Sequence, residues 1–339
     1  MRLLITCDPA NVRHIFTTNY TNFPKGAEFA AIFDIMAGSL FPIDGAPSLR
    51  PRAKIQSVLS SPLLVASMAT CCRHKVENGL LPLFSHLAST GTPFDMQEVF
   101  SKFMFDLAAT PLFVVDPGLL SFSLDMSMPP MDAVVAMDTV MEVGFIRHLI
   151  PASCWKAMRR INIGSERKLR TAHTVLRRFA AEMIKERKDT KPLVYLSVAL
   201  YETLRLYPSA PIERKTVAVA DIMPSGHEVK AGDTILISLH SMGRMEDLWG
   251  KDCLDYNPNR WLSKDGNTLR YVPSHKFLAF NSGSRICPGK EIAVMQMKTV
   301  VAIVLWNFDV EVVEGQIIQP KPSCILQMKN GFIVKLRKR

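Results

Sequence analysis

The feature of this sequence that most constrains its fold is a cysteine in a glycine-bounded loop, followed by a long apolar stretch. The loop reads Phe-Asn-Ser-Gly-Ser-Arg-Ile-Cys-Pro-Gly over residues 280–289. The stretch from Ile292 to Phe308 has no internal glycine or proline, and Lys298 is its one charged residue. It therefore predicts a long buried helix. Cys287 would then lie just before a helix N-terminus, where the peptide dipoles favour a thiolate.

Each defined residue of this loop suits contact with a flat, iron-containing ring. A thiolate in this position can serve as an axial ligand of haem iron. Gly283 and Gly289 permit backbone turns that a Cβ would hinder, so the chain can lie flat against a macrocycle. Arg285 offers a planar fork of donors for a propionate, and Phe280 can shield the sulfur from water. The loop therefore suits a haem site, although a buried structural cysteine before a helix is the commoner interpretation of such a thiol taken alone.

Two further motifs precede the loop. Glu202 and Arg205 form the one Glu-x-x-Arg of the chain, on a helix predicted from about Pro192 to Tyr207. Their i,i+3 spacing places both charges on one face, although such a pair taken alone is more often a solvated surface pair. The second motif is Asn-Pro-Asn-Arg-Trp at residues 257–261, which contains Arg260.

With these three motifs in this order, the chain resembles the cytochrome P-450 family. The loop matches that family's Phe-x-x-Gly-x-Arg-x-Cys-x-Gly signature at every defined position. The resemblance implies a mainly α fold with small β-sheets, in which Cys287 is the proximal ligand of haem b. It also implies that Glu202, Arg205 and Arg260 form a buried, mutually neutralised triad that holds the segment before the haem loop.

The resemblance extends to function and to further site residues. Arg52 and Arg214, together with Arg285, would bind the haem propionates. Three stretches, at residues 8–12, 22–26 and 140–168, look like the plant fatty-acid and alkane hydroxylase branch. The family's activity would then be insertion of one oxygen atom into a C–H bond of a long apolar substrate. Electrons would come from NADPH through a reductase, at the cytosolic face of the endoplasmic reticulum membrane.

The chain departs from the family pattern in three places. The family's N-terminal membrane anchor has no counterpart in this sequence, and no stretch approaches the ~20 apolar residues of a membrane span, so a cytosolic or peripheral location is the alternative expectation. The tryptophan expected four residues before Arg52 is Ser48, and nearby prolines are expected to disturb that helix start. No Ala/Gly-Gly-x-Asp/Glu-Thr motif of a central oxygen-binding helix is present, so we interpret the junction of Thr190 and Lys191 as an internal deletion. We accordingly divide the chain into a helix-rich part, residues 1–190, and a haem-binding part, residues 191–339.

Two alternatives to a working monooxygenase remain open at this stage. The chain could be a catalytically inactive, shortened family member that retains at most haem binding. Outside the family, the Cys287-Pro288 dipeptide could act as a labile haem sensor, or the basic surface could dock a membrane or a partner. Neither of these last two roles accounts for Glu202, Arg205 and Arg260.

The charge and the cysteine content limit the kinds of partner and of compartment that the sequence predicts. Lysine and arginine number 41 and acidic residues 31, which gives a net charge of +10. The basic clusters, at Lys156–Arg160, Arg167–Arg170 and Lys335–Arg339, are typical of solvated faces, but they also suit anionic lipid or an acidic redox partner. No nucleic-acid-binding motif accompanies them, so we expect no such partner. Seven cysteines without a secreted spacing pattern indicate reduced thiols.

Local patterns predict several further elements. Asp8 is a candidate N-cap with Pro9 at the first helical position. Residues 166–189 form an amphipathic helical pattern. Alternating residues and turn signals between Asp221 and Leu239 predict a hairpin. A second hairpin is predicted to join residues 325–328 to residues 332–334 through Lys329-Asn330-Gly331.

Overall fold

The computed structural model describes residues 2–36, 41–42, 46–113, 132–182, 196–263 and 268–339 of the 339-residue chain. Most of the regular structure in these residues is helical, and three small sheets accompany the helices. The fold class implied by the resemblance is therefore confirmed. The junction of Thr190 and Lys191, where we placed an internal deletion, lies outside the described residues.

The α-helices of the described residues vary widely in length. In chain order they are α1 (Pro9–Arg13), α2 (Gly26–Ile32), α3 (Ala46–Leu59), α4 (Pro62–Lys75), α5 (Leu81–Thr90), α6 (Met96–Phe113), α7 (Asp132–Leu149), α8 (Ala152–Ile161), α9 (Gly164–Glu182), α10 (Leu196–Leu206), α11 (Leu239–Met242), α12 (Glu246–Trp249) and α13 (Lys290–Asn307). Short 3₁₀ or π turns lie at His14–Thr18, Tyr20–Asn22, Asp34–Met36, Val76–Leu80, Pro258–Trp261 and Gly283–Arg285.

The strands are short and form three sheets within the described residues. They are β1 (Leu3–Thr6), β2 (Phe94–Asp95), β3 (Ile212–Thr216), β4 (Asp221–Ile222), β5 (Glu228–Val229), β6 (Thr234–Ser238), β7 (Phe308–Val312) and β8 (Ile333–Lys338). The sheet orders are β1-β6-β3, β2-β8-β7 and β4-β5. Strand β1 runs parallel to β6, with Ile5 opposite Leu236, and the other pairings are antiparallel.

The chain divides into two compact units, each discontinuous in sequence. Unit 1 comprises Met1–Ser57, Ser197–Lys290 and Cys324–Leu326, and unit 2 comprises Val58–Leu196, Glu291–Ser323 and Gln327–Arg339. Unit 1 is discontinuous because β1 pairs with β6, which brings the start of the chain to its second half. The sequential division at residues 190 and 191 does not follow these units.

The core of unit 1 lies on one face of the β1-β6-β3 sheet. Ile235 and Ile237 of β6 are fully buried because period-2 alternation directs both to that face. They belong to a cluster with Val12 and Ile15 from the start of the chain. Strands β4 and β5 form the predicted hairpin, and the amide of Gly226 donates to the carbonyl of Met223 at 2.7 Å in its turn.

The core of unit 2 joins helices to the second sheet. Its buried members include Phe84, Phe103, Phe308, Val334 and Leu336, which come from α5, α6, β7 and β8. Buried ion pairs tie its helices together: the Lys75 ammonium lies 3.3 Å from the Asp106 carboxylate, and Arg147 lies 2.6 Å from Glu166. Each pair keeps a charge partnered where water is excluded.

Helix α13 is the long apolar helix predicted after the cysteine loop. Ile292, Met295, Val300 and Val304 are buried along it. The helix is not buried all round, because Trp306 is 82% exposed. At the other end of the chain, the predicted cap of α1 is also confirmed, since the Asp8 carboxylate accepts from the amide of Ala10 at 2.7 Å.

The second predicted hairpin is wrong. Residues 325–328 form no strand, and Met328 makes one isolated bridge to Pro320. Strand β8 pairs instead with β7 and β2, with Val310 opposite Leu336. The reason is burial: this pairing places Val334 and Leu336 in the core of unit 2, which a two-stranded hairpin alone could not provide.

The other helix predictions agree with the described residues. Helix α10 carries the Glu-x-x-Arg motif and ends at Leu206. Helix α9 begins at Gly164 and follows the predicted amphipathic segment as far as it is described, to Glu182. No single helix among the described residues has the length and hydropathy of a membrane span, although the bent pair Pro51–Leu59 and Leu64–Thr90 passes that test jointly.

We expect Phe103→Ala to lower the free energy of unfolding by about 3–5 kcal/mol, because the ring is fully buried in the core of unit 2. Met104 on the same helix is 42% exposed, so Met104→Ala is the matched control and should cost much less. Denaturant unfolding of the three proteins measures the difference. Equal losses for both variants would contradict the assigned core.

Candidate functional site

The cysteine loop is shaped by two left-handed residues and a 3₁₀ turn. Asn281 has φ +62° and Gly283 has φ +58°, and the turn spans Gly283–Arg285. The amide of Cys287 donates to the carbonyl of Phe280 at 2.7 Å, and the amide of Lys290 donates to the carbonyl of Cys287 at 3.3 Å. These bonds close the loop on itself and place the thiol three residues before α13.

Gly283 is required because the loop passes directly over another backbone segment. A Cβ at this position would lie 2.3 Å from the carbonyl oxygen of Phe16, which is closer than side-chain atoms approach backbone. The positive φ adds a second reason for glycine. Gly289 is different: its φ is not positive, and a Cβ there would lie 3.9 Å from the sulfur of Cys287, at ordinary contact distance.

The Cys287 side chain is accessible from outside the protein. Cys154 and Cys287 are the exposed cysteines, and the other five are buried or half-buried. Burial raises the pKa of Cys72 to about 12 and that of Cys324 to about 11, so neither thiol ionises readily. Cys287 therefore differs from the buried cysteines in being reachable by a large flat ligand.

Two arginines accompany this thiol. The Arg52 guanidinium donates to the carbonyl of Ile286 at 2.7 Å, which places it beside the residue before Cys287. Burial and the nearby Arg285 charge lower the pKa of Arg52, whereas the Cys287 sulfur acts in the opposite direction. Two cations held this close together suit an anionic group between them.

Arg52 reaches the loop from a helix that the prolines do not interrupt. Pro51 lies inside α3, which runs without a break from Ala46 to Leu59. The disturbance expected at this helix start is therefore not seen. Because Pro51 is the sixth residue of α3, its missing N–H removes one hydrogen bond near the N-terminal end.

Arg214 has partners outside the cysteine loop. Its guanidinium donates to the carboxylate of Glu28 at 2.5 Å and to the hydroxyl of Thr234 at 3.2 Å. The structure thus gives Arg214 an ion pair within the sheet region of unit 1, and its binding of a propionate stays a prediction.

The structure brings Glu202, Arg205 and Arg260 together. Arg205 forms a bidentate pair with the Glu202 carboxylate, with both N–O distances 2.8 Å. The Nε of Arg260 lies 3.2 Å from the same carboxylate. Glu202 is fully buried. A carboxylate between two guanidinium forks is a tolerable form of buried charge, because its lone pairs are all engaged.

Three members of this network were missed by sequence reasoning. The indole N–H of Trp261 donates to Glu202 at 2.9 Å, and the amide of Asn257 donates to it at 2.8 Å. Asp252 accepts from Arg260 at 2.9 Å and offsets its charge. Trp261 could have been found, since it follows Arg260 directly and its N–H needs a partner when buried. No spacing rule indicates Asp252.

Hydrogen bonding lowers the pKa of Glu202. Burial alone would raise it, but the donors from Arg205, Asn257 and Trp261 stabilise the charged form more strongly. Arg205 also donates to the carbonyls of Cys253 at 2.6 Å and Asp255 at 2.9 Å. The ionised carboxylate and its cations therefore hold the segment 252–261 against α10.

The cysteine loop is also tied to the β1-β6-β3 sheet. The side-chain amide of Asn281 donates to the Glu213 carboxylate at 3.4 Å, and Lys215 lies 3.0 Å from that carboxylate. Burial would raise the pKa of Glu213, but Lys215, Lys25 and Asn281 lower it. A charged Glu213 thus helps to hold the left-handed turn at Asn281.

These residues fit a haem with a thiolate ligand. The thiol is exposed, its loop is fixed by backbone bonds, and Arg52 and Arg285 lie near it as counter-ions for carboxylates. In a haem site of this kind the protein supplies one iron ligand, the thiolate. Cys287 would hold the iron, and Arg52 and Arg285 would face the propionates.

Comparison with known proteins now identifies the family. A model of the family described as Cytochrome P450 matches residues 184–336. Cytochrome P450 94B3 of Arabidopsis thaliana is 30% identical, and the match covers 100% of this chain and 83% of that protein. The chain belongs to the cytochrome P450 family. Members of this family are monooxygenases that use a haem cofactor.

Two further relatives and one solved structure resemble this P450. Alkane hydroxylase MAH1 of Arabidopsis thaliana is 30% identical over 99% of the chain and 84% of that protein. Noroxomaritidine synthase 1 of Narcissus pseudonarcissus is 31% identical over 100% of the chain and 83% of that protein. The crystal structure of the cytochrome P450DA heme domain has a TM-score of 0.72 at 14% identity, covering 99% of this chain and 86% of that one. This last likeness concerns the fold.

The same comparisons bear on the predicted internal deletion. The alignment with noroxomaritidine synthase 1 extends over 431 residues, whereas the P450 described here has 339. The relative therefore carries, within the matched span, residues that have no counterpart in this chain. This agrees with an internally shortened chain, and its position at Thr190 and Lys191 stays a prediction.

We expect Glu202→Gln to lower the free energy of unfolding by roughly 3–5 kcal/mol, because it leaves the buried Arg205 guanidinium without a carboxylate partner. The pH dependence gives a second test. The pKa of Glu202 is lowered on folding, so its stabilisation is present above the unfolded value of about 4.3 and is lost as the pH falls through the folded value. Below about pH 4, wild type should therefore lose stability more steeply than the variant.

Denaturant unfolding between pH 3 and pH 7 measures both effects. Asp252→Asn is the matched control. The Asp252 carboxylate is half-exposed and, of the three triad residues, contacts Arg260 only. It should cost much less than Glu202→Gln. A Glu202→Gln variant as stable as wild type at pH 7 would contradict the buried triad.

We expect Gly283→Ala to destabilise the protein by more than Gly226→Ala. Both glycines have a positive φ, which costs roughly 1–2 kcal/mol for alanine. A Cβ at Gly226 meets nothing within 4 Å, whereas one at Gly283 collides with the Phe16 carbonyl. Thermal unfolding of both variants separates the two contributions, and equal losses would show that the close approach at Gly283 is not made.

Proposed function

We propose that Cys287 is the thiolate ligand of a haem b in this P450, and that Arg285 and Arg52 bind its propionates. The observation that carries the proposal is an exposed thiol in a closed loop with two guanidinium groups beside it. The hydrogen bond from the Cys287 amide to the Phe280 carbonyl fixes the backbone that carries the sulfur. In the haem-loaded protein Phe280 would shield the sulfur from water, and Arg214 is a further candidate for a propionate.

The proposed reaction is hydroxylation of a long-chain apolar substrate, a fatty acid or an alkane. When bound, the haem would supply the activation of dioxygen: one oxygen atom would enter a C–H bond as hydroxyl, and the other would leave as water with two protons and two electrons that come from NADPH and solvent. Cys287 would hold the haem through its thiolate and donate electron density to the iron. The substrate class is supported by alkane hydroxylase MAH1 among the relatives and by the family resemblance of residues 8–12, 22–26 and 140–168.

We further propose that an NADPH-dependent reductase delivers the electrons at the cytosolic face of the endoplasmic reticulum membrane. The net charge of +10 supports contact with an acidic partner or with anionic headgroups. Lys156 and Arg160, in the basic cluster of α8, are exposed, and none of residues 152–161 is acidic.

A second candidate is a catalytically inactive P450 that retains at most haem binding. It is favoured by the alignment length, since relatives carry residues inside the matched span that this chain lacks. The two candidates share the Cys287 ligand and differ in turnover. Reductase-coupled hydroxylation of a fatty acid by the haem-loaded chain decides between them: product formation supports the first candidate, and haem binding without product supports the second.

We expect the reduced, haem-loaded protein to show a strongly red-shifted Soret band when carbon monoxide is added, because the thiolate of Cys287 would hold the iron. Cys287→His should keep haem and lose the red shift, since an imidazole replaces the thiolate. Cys154→Ser is the matched control, as Cys154 is the other exposed cysteine. A red shift that survives in Cys287→His, or is lost in Cys154→Ser, would refute the assignment.

A further inference from the structure

Unit 1 contains a cleft that the proposed haem site does not use. Its volume is about 120 Å³, and it lies between the segment 270–276 and the Glu202 network. Its walls carry three cations, Arg260, Arg270 and Lys276, and two aromatic rings, Trp249 and Tyr271. None of the described residues that line it is acidic.

The described residues do not balance the positive charge of this cleft. Arg260 is neutralised by Glu202 and Asp252, so it adds no excess charge. Arg270 and Lys276, in contrast, make no side-chain hydrogen bond or ion pair with any residue that the structure describes. Within the described part of the chain, two cations without a carboxylate partner therefore face one concave surface, where low-dielectric walls strengthen their field.

The nearby cations also affect the pKa of His275, a neighbouring residue. Burial lowers the pKa of His275, and the charges of Arg13 and Lys276 lower it further. Arg13 is thus a further cation near His275, although it is not among the residues that line the cleft.

The mouth of the cleft carries an exposed ring. Tyr271 is 84% exposed, which is the highest value among the large apolar side chains described. The Trp249 ring, by contrast, is held in place by Trp261 at 5.5 Å and by an indole hydrogen bond to the Met242 carbonyl at 2.9 Å. One fixed ring and one exposed ring beside a cationic cleft suit a ligand that has a planar part and an anionic part.

We propose that this cleft binds a small aromatic phosphate monoester, with the phosphate between Arg270 and Lys276 and the ring against Tyr271. The charges of Arg270 and Lys276 match the two charges of a phosphate monoester at neutral pH. A concave site of this volume accommodates a small ring with its phosphate better than the surface of a protein partner. The proposal is independent of the haem site, because none of the three residues belongs to it.

Isothermal titration calorimetry of the full chain with phenyl phosphate at pH 7.5 tests the proposal. Phenyl phosphate should bind at least about tenfold more tightly than inorganic phosphate or phenol, because neither of these supplies both contacts. The double variant Arg270→Gln, Lys276→Gln should raise its Kd at least about tenfold. Tyr271→Ala should lower the affinity for phenyl phosphate to that for inorganic phosphate.

Lys329→Gln is the matched control, since Lys329 is exposed and lies outside the cleft. It should leave the Kd unchanged, and circular dichroism should show every variant folded. The proposal is overturned if phenyl phosphate gives no binding heat, if it binds no better than inorganic phosphate, or if the double variant binds like wild type. Equal weakening by Lys329→Gln would also overturn it, because the effect would then be one of general charge.

Discussion

The carboxylate of Glu202 is the interaction on which the C-terminal half of unit 1 depends. It is fully buried, yet two arginines, an indole and a backbone amide all donate to it. An ionised group in this position is stable only while its partners remain, since removing one leaves a buried charge unpaired. Because Arg260 lies 58 residues away from Glu202 in sequence, the network fixes a long-range contact that short-range propensities do not determine.

From this network, a chain of contacts leads to the cysteine loop. The hydroxyls of Ser274 and Ser282 lie 2.6 Å apart and join the segment after the network to the loop itself. Glu213 holds Asn281 from the sheet side, and the Phe16 carbonyl lies directly under Gly283. The loop is thus held from three directions, while the Cys287 side chain stays exposed. A thiol that ligates iron needs rigid support around it, because the direction of the sulfur must not change when haem binds.

Sequence motifs predicted the elements that recur with fixed spacing. The Glu-x-x-Arg pair and Arg260 lie together as the resemblance implied, and the helix after Cys287 forms where its apolar run predicted. Contacts without spacing rules were missed: Asp252 on Arg260 and Glu28 on Arg214 depend on tertiary placement. The pairing of β8 was mispredicted for the same reason, because the turn residues at 329–331 favour a hairpin locally, whereas the core of unit 2 selects β7 and β2.

Ligation of haem iron by the Cys287 sulfur is the interaction that we propose at the functional site. X-ray absorption at the iron edge, on the full chain loaded with haem, tests it most directly. We expect a sulfur atom among the iron ligands of the wild type and its absence in Cys287→His. Iron with nitrogen and oxygen neighbours alone in the haem-loaded wild type would contradict it.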